Sequence, residues 1–238
     1  MVPLALSAAA FFAIHVLVSG TSLRGTLVRL AGESAYLALF SLVSAAALVW
    51  LAVSYNAALT ADNPVLWHAP LWLYHLAPVV MFPAVLLAVI GLLTPSPTIV
   101  RGEALLAKGA VRGIVTVSRH PFLWGAFLWA ATHVAVNGDL ASLVLFGMFL
   151  VLVPFGTQSI DRKRARSCGE AWESFAARTS SLPFVAIAQG RTKFDMEGLG
   201  LWRVLVALAV YGAVLFGGHA CLFKVSPLPG AGFAGCPL

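Results

Sequence analysis

The sequence predicts an all-α integral membrane protein: a bundle of about six transmembrane helices with an amphipathic cytoplasmic helix in the fifth loop. Three observations predict it. Of the 238 residues, 60% are hydrophobic and 10% charged, with a mean hydropathy of +0.92, which is more apolar surface than one water-facing core can hide. Apolar stretches near the ~20 residues that cross a bilayer run over residues 3–21, 35–55, 71–93, 121–136, 140–157 and 199–223. The connections between them carry two, none, four, none and seven Lys or Arg residues in turn, so the odd-numbered loops are expected in the cytoplasm and both termini outside. The chain reads as a single transmembrane domain, 1–238.

The first stretch has no cation before Arg24 and Arg29, the reverse of a secretory signal, and is expected to stay as a helix. The fourth and fifth are short and parted only by Asn137-Gly138-Asp139, which demands a tight helical hairpin. The fifth connection, residues 159–198, is long enough to hold structure. Over 161–178 it sets Cys168, Trp172, Phe175 and Ala176 at helical spacing opposite a basic face, which suits a helix on the anionic inner leaflet. The apolar run 181–188 is too short to span and reads as interfacial or re-entrant. No internal repeat suggests an inverted-repeat transporter.

The net charge of +6 sits in loops and sets topology rather than binding nucleic acid. The cysteines Cys168, Cys221 and Cys236 form no C-x-x-C, so neither a cysteine zinc site nor covalent haem attachment is supported. Cys221 and Cys236 fall on the outer side and are expected to close a small loop there.

Ionisable groups at mid-depth are costly, about 2.5 to 3.5 kcal/mol each for Arg, Lys or Asp on insertion scales. The deepest ones here are His15 and His133. Each lies about 12 residues, roughly 18 Å, from the start of its helix, so both reach the midplane of a ~30 Å core. Ser7, His15, Ser19 and Ser22 share one face of the first helix; Gly125, Ala126, Ala130, His133 and Asn137 share one face of the fourth. Three readings are open: interhelical hydrogen bonds as packing glue, axial ligation of an iron porphyrin lying between small residues, or another metal or proton-relay role. His75 is the spare candidate, intramembrane but shallower, and His68, His75 and His219 make an alternative outer metal set. Arg24, Arg112, Arg119, Arg162 and Arg203 are expected on the inner side, where Arg24 and Arg119 could pair with ligand carboxylates such as haem propionates. Arg119-His120-Pro121 opens the fourth helix, with Pro121 suited to the first helical position and Arg119 able to reach headgroups. Glu33 and Asp139 complement helix dipoles, and Asp161 pairs with Arg162.

Several elements in order carry a resemblance: His15 followed by Ser19-Gly20-Thr21 and Leu23-Arg24; Gly32-Glu33 with Tyr36; Leu39-Phe40-Ser41-Leu42-Val43-Ser44; Ser118-Arg119-His120-Pro121-Phe122 with Gly125; Trp129 with His133; Asn137-Gly138-Asp139; Gly169-Glu170 with Trp172; and Thr179-Ser180 with Pro183-Phe184, Ala186-Ile187 and Gly190-Arg191. Together they resemble the NnrU family over nearly the whole chain. That resemblance implies a role in denitrification, in support of nitrite and nitric oxide reduction. The plant zeta-carotene isomerases, similar to this family, are haem b enzymes, and their histidine ligands match His15 and His133. It therefore implies haem b as cofactor, with membrane lipids, a small apolar ligand or denitrification proteins as partners. A cysteine that the isomerases hold three positions before the second ligand is Ala130 here, which puts redox-driven ligand switching in doubt. Arg119-His120-Pro121 with Gly169-Glu170 and Trp172 also looks like the isoprenylcysteine carboxyl methyltransferases, so S-adenosylmethionine-dependent methyl transfer is an alternative.

Overall fold

The computed structural model describes residues 1–108 and 111–229. Its helices are α1 (Val2–Ala13), continued by a π-helical turn at Ile14–Val18, α2 (Leu23–Ala31), α3 (Glu33–Leu59), α4 (Leu71–Leu93), α5 (Ile114–Val117), α6 (Pro121–Asn137), α7 (Leu140–Arg178), α8 (Val185–Ala188), α9 (Met196–Leu199), α10 (Leu201–Ala213), a second π-helical turn at Val214–Gly218, and α11 (His219–Phe223). A 3₁₀ segment, Glu103–Lys108, lies between α4 and α5. Among the described residues there is no strand, only one isolated bridge between Val65 and Asp139.

Four helices are long and apolar enough to cross a membrane: α3, α4, α7 and the run Leu201–Phe223. A fifth counts if Val2–Val18 and Leu23–Ala31 form one broken span, bent by 78°. The remaining candidate, α6, is a helix of 17 residues, about 26 Å long and so just under the ~30 Å of a hydrocarbon core. Each of the six apolar stretches is therefore helical. The folded chain adds one thing the hydropathy pattern did not suggest: residues 23–31, expected as a loop, form a separate helix.

The chain divides into two compact units, Met1–Ala69 with His133–Ser159, and Pro70–Thr132 with Ile160–Leu238. In the first, α1 packs along α3, and Leu4, Phe11, Leu51 and Phe146 are buried. In the second, α4 packs along α10, and Leu87, Ile90, Ile114, Val115, Val117, Trp172, Phe175 and Ala207 form a cluster. Gly125 of α6 meets α4 there: an added Cβ would lie 2.5 Å from the Ala84 carbonyl oxygen and 2.7 Å from the Ala88 nitrogen. The small residue expected to admit a neighbouring helix or a flat ligand thus admits a helix.

The fifth connection is built differently from the expectation of a free-standing helix. The fifth span does not stop at residue 157 but runs on as α7 to Arg178, interrupted by non-helical backbone at Gly169. The stripe foreseen to face lipid is covered by protein, since Trp172 and Phe175 are buried in the second unit's cluster with Cys168 and Ala176 packed against it. The segment 181–188 also docks on protein. Phe184 N–H donates to the Val117 carbonyl and Ser118 Oγ to that of Ser181, while Leu182 and Phe184 stay exposed.

Candidate functional site

His15 lies within the π-helical turn, where the Ser19 amide reaches back five residues to the Ile14 carbonyl. Single π turns of this kind often mark functional positions. Its Nδ1 is 2.8 Å from the Phe11 carbonyl oxygen. A carbonyl only accepts, so Nδ1 carries the proton and the lone pair of the neutral ring is on Nε2. The imidazole stacks on Phe11, centroids 4.3 Å apart, and meets the edge of Phe40 at 5.5 Å.

His133, on α6, stacks on Phe146 of α7 with centroids 4.6 Å apart and planes 27° from parallel. Phe149, three residues further along α7, lies 5.7 Å from Phe11. Three residues on a helix are about 4.5 Å of rise. Within the first unit, Phe40, His15, Phe11 and Phe149 thus make one chain of ring contacts and Phe146 with His133 a second, the two meeting α7 about one turn apart.

A polar clamp closes the end of the hairpin one turn beyond His133. Asp139 caps α7 by accepting from the Ser142 amide, and the same oxygen accepts from Asn63 Nδ2, both at 2.9 Å. Asn63 Oδ1 accepts from the Ala141 amide, Asn137 donates to Ser142 Oγ, and Ser142 Oγ also meets the Tyr55 hydroxyl. The Gly138 carbonyl takes the amides of Leu66 and Trp67, and Trp67 Nε1 donates to Ala135 O. Gly138 has φ +69, and a Cβ there would lie 2.1 Å from the Trp67 carbonyl oxygen. Only glycine fits that turn. Burial pushes the Asp139 carboxyl up, but the bonds from Asn63 and Ser142 outweigh it and hold the group below the usual carboxylate range.

The basic residues have local partners. Arg24 reaches Glu33 at 3.4 Å and lies over the Tyr36 ring at 5.5 Å. Arg112 is 3.9 Å from Asp195, and Arg203 donates to the Leu93 and Leu199 carbonyls. Asp195 caps α9 through Gly198, and the amides of Gly113 and Gly198 hold its carboxyl below the usual range.

Arg119 corrects two expectations. Rather than reaching headgroups, it grips both oxygens of Asp161, Nη2 to Oδ2 at 2.6 Å and Nε to Oδ1 at 3.1 Å, and lies 5.8 Å over the Trp172 ring. Asp161 takes Arg119 and His120 where sequence reasoning paired it with Arg162: His120 Nε2–H donates to Oδ1 at 2.7 Å, and the His120 side chain is 1% exposed. The signal for this cluster was present as an Asp at the root of a basic helix and an Arg-His pair just before Pro121. The pairing is long-range, and sequence distance concealed it.

His75 is exposed on α4, His68 is exposed in the preceding connection, and His219 Nδ1 donates to the Val225 carbonyl. Among the described residues no three His, Cys, Asp or Glu side chains gather into a metal-holding group. A two-histidine haem site needs no such group. Cys236, the expected partner of Cys221, lies outside the described residues.

Comparison with known proteins agrees with the resemblance read from the residues. The family described as NnrU protein matches residues 3–227. The 15-cis-zeta-carotene isomerase of Arabidopsis thaliana is 39% identical over 83 residues, 33% of this chain and 22% of the relative. That of Zea mays is 30% identical over 105 residues, 42% of this chain and 29% of the relative. The matched part is thus under a third of the length of these curated relatives. No solved structure matches. With its family pattern running almost from end to end, the chain belongs to the NnrU family.

Proposed function

We propose that this protein binds haem b in the membrane, with His15 and His133 as axial ligands, and isomerises a double bond of a membrane-dissolved polyene. The observation that carries the reading is the state of His15: its Nδ1–H is held by the Phe11 carbonyl, so Nε2 is left to ligate, in a ring cluster that meets α7 one turn from the ring on which His133 stacks. A backbone carbonyl on the distal nitrogen is the usual way a metal-binding imidazole is oriented and its tautomer fixed. When bound, the group would supply a redox-active iron. The residues' own tasks are to hold it, exclude water with Phe11, Phe40, Phe146 and Phe149, and keep an apolar surround for a conjugated hydrocarbon. Arg24, half-buried beside Glu33, is the cation we assign to a carboxylate of the group; Arg119 is already engaged by Asp161. The relatives named as 15-cis-zeta-carotene isomerases support this substrate class over service to nitrite or nitric oxide respiration, which shares the same ligand pair.

We read the six apolar helices as six crossings of a bacterial inner membrane, both termini periplasmic and the odd loops, with the C-terminal part of α7, cytoplasmic. The cation alternation supports this, as do Trp72 and Tyr74 at the start of α4 and Trp202 at the start of α10, all exposed as interfacial aromatics are. The test of function is a visible spectrum of the purified protein followed by incubation of the reduced protein with 15-cis-zeta-carotene. A Soret band that shifts on reduction, with conversion of the 15-cis bond, is expected. No band after haem supplementation overturns the haem; a band without conversion overturns the isomerase and leaves the respiratory reading.

A further inference from the structure

The helix α2, at nine residues too short to cross a bilayer by itself, has no buried residue. It leaves the end of the first apolar helix at 78°, across a turn in which Thr21 Oγ1 accepts the Leu23 amide and donates to the Leu17 carbonyl. If Val2–Val18 runs across the bilayer, a helix bent by that angle lies close to the membrane plane. Its nine residues make a rod about 13 Å long.

The faces of that rod are distinct. At about 100° per residue, Leu23, Leu27 and Leu30 fall on one side, and Gly25 and Arg29 on the opposite side. Val28 falls with Arg29 on the far side, and Arg24 lies between, turned to α3, pairing with Glu33 and Tyr36. The apolar side is presented outward: Leu30 is 81% exposed and Leu23 is 44% exposed. Arg29 is exposed and bonded to Thr26 of its own helix.

We infer that α2 is an in-plane anchor on an anionic phospholipid leaflet, its Leu23, Leu27 and Leu30 edge sunk among the upper acyl chains and Arg29 at the headgroup phosphates. Lipid is the occupant favoured by the bend, by the continuity of α2 with the first apolar helix, and by the pairing of an apolar edge with an exposed cation, Arg29, the pattern of interfacial helices that bury one face about 5–10 Å deep. The helix thereby fixes the depth of the π-helical turn that carries His15, four residues before the bend. The inference depends on α1 being a span and is independent of haem.

The experiment places a nitroxide on Cys at position 30 (L30C) or 25 (G25C) of the full chain, with Cys168, Cys221 and Cys236 replaced by Ser, reconstituted in phosphatidylcholine with or without phosphatidylglycerol. An added side chain at Gly25 meets nothing within 4 Å, so that label is accommodated. Expected are preferential oxygen accessibility at position 30, preferential accessibility to an aqueous nickel chelate at 25, and a shallower position 30 without phosphatidylglycerol. Equal aqueous accessibility at both sites overturns the inference, as does spin–spin broadening at position 30, which would mean a second copy covers the face. A depth at 30 indifferent to phosphatidylglycerol overturns its anionic part. With the native cysteines kept, native mass spectrometry of Arg29→Gln provides a second readout: less retained phosphatidylglycerol than wild type is expected, and equal retention counts against the anchor.

Discussion

Two histidine environments in this molecule look alike in sequence and differ in chemistry. His15 is half-buried among rings and makes its Nδ1 bond to a backbone carbonyl. His120 is fully buried and bonds a carboxylate that Arg119 grips from the other side. A ring bound to a carbonyl has a fixed tautomer and an opposite nitrogen with its lone pair. A ring bound to an aspartate that is also paired with arginine is one member of a charge network, and its role is to join Asp161 on α7 to the residues before α6. The difference teaches that sequence position is a poor guide alone, and that the partner of a ring nitrogen decides what the rest of the ring can do: His15 keeps a lone pair on Nε2, while His120 shares in a buried charge network.

The largest effect expected from this comparison is spectroscopic. His15→Ala and His133→Ala should each convert a low-spin six-coordinate haem spectrum to a high-spin or haem-poor one, while His120→Ala and His68→Ala should leave it nearly unchanged. If His75→Ala abolishes the low-spin spectrum while His15→Ala does not, the ligand assignment is wrong. In stability the order reverses. Asp161→Asn leaves Arg119 without its counter-ion, and removing one partner of a buried pair costs about 3–5 kcal/mol. We expect the low end, because Asp161 retains 20% exposure. Chemical denaturation in detergent measures it, and a loss below about 1 kcal/mol would place the network in the class of surface ion pairs.

A third prediction sharpens the His133 side. Gly138→Ala puts a Cβ against the Trp67 carbonyl at positive φ, and the conformation alone costs about 1–2 kcal/mol for a side-chain-bearing residue. Because the turn is one helical turn from His133, the same variant should also broaden the haem spectrum if His133 is a ligand. Loss of stability with an unaltered spectrum would separate the clamp from the site.

The helical architecture was readable because hydropathy and cation alternation both report the solvent, and lipid leaves a strong mark on composition. His15 and His133 stood out because ionisable groups are rare in such segments. What the sequence concealed was of two kinds. The Asp161 network joins residues about 40 apart, and an Asp-Arg neighbour in sequence was the more obvious partner for it. The apolar stripe of Trp172 and Phe175 has the periodicity of a lipid-facing face, and periodicity cannot say whether lipid or protein covers it. The helix α2 was missed because its nine residues carry two arginines and a glycine, which read as a polar loop until the bend after the first span is known.

The smallest expected effects come from the two capping aspartates outside the spans, one beside each region. Asp139 caps α7 next to the His133 hairpin, and Asp195 caps α9 in the other unit. Both have carboxyls held below the usual range, Asp139 against opposing burial, Asp195 by the amides of Gly113 and Gly198. A carboxyl with a depressed folded-state pKa contributes stability that is present above its unfolded value, about 3.9, and is lost as pH falls through the folded value. Replacing either by Ala should cost about 0.5–2 kcal/mol at neutral pH, as N-cap removal does. The gap from wild type should narrow only below about pH 3.9. Asp139→Ala should cost more, because it also frees Asn63, which holds the Ala141 amide; Asp195→Ala should sit at the low end because water reaches that carboxyl. Denaturation midpoints of both variants at neutral and acid pH decide it. A gap that already closes between pH 7 and 5 would mean a histidine rather than a carboxylate is titrating, and would move attention from the caps to the rings they flank.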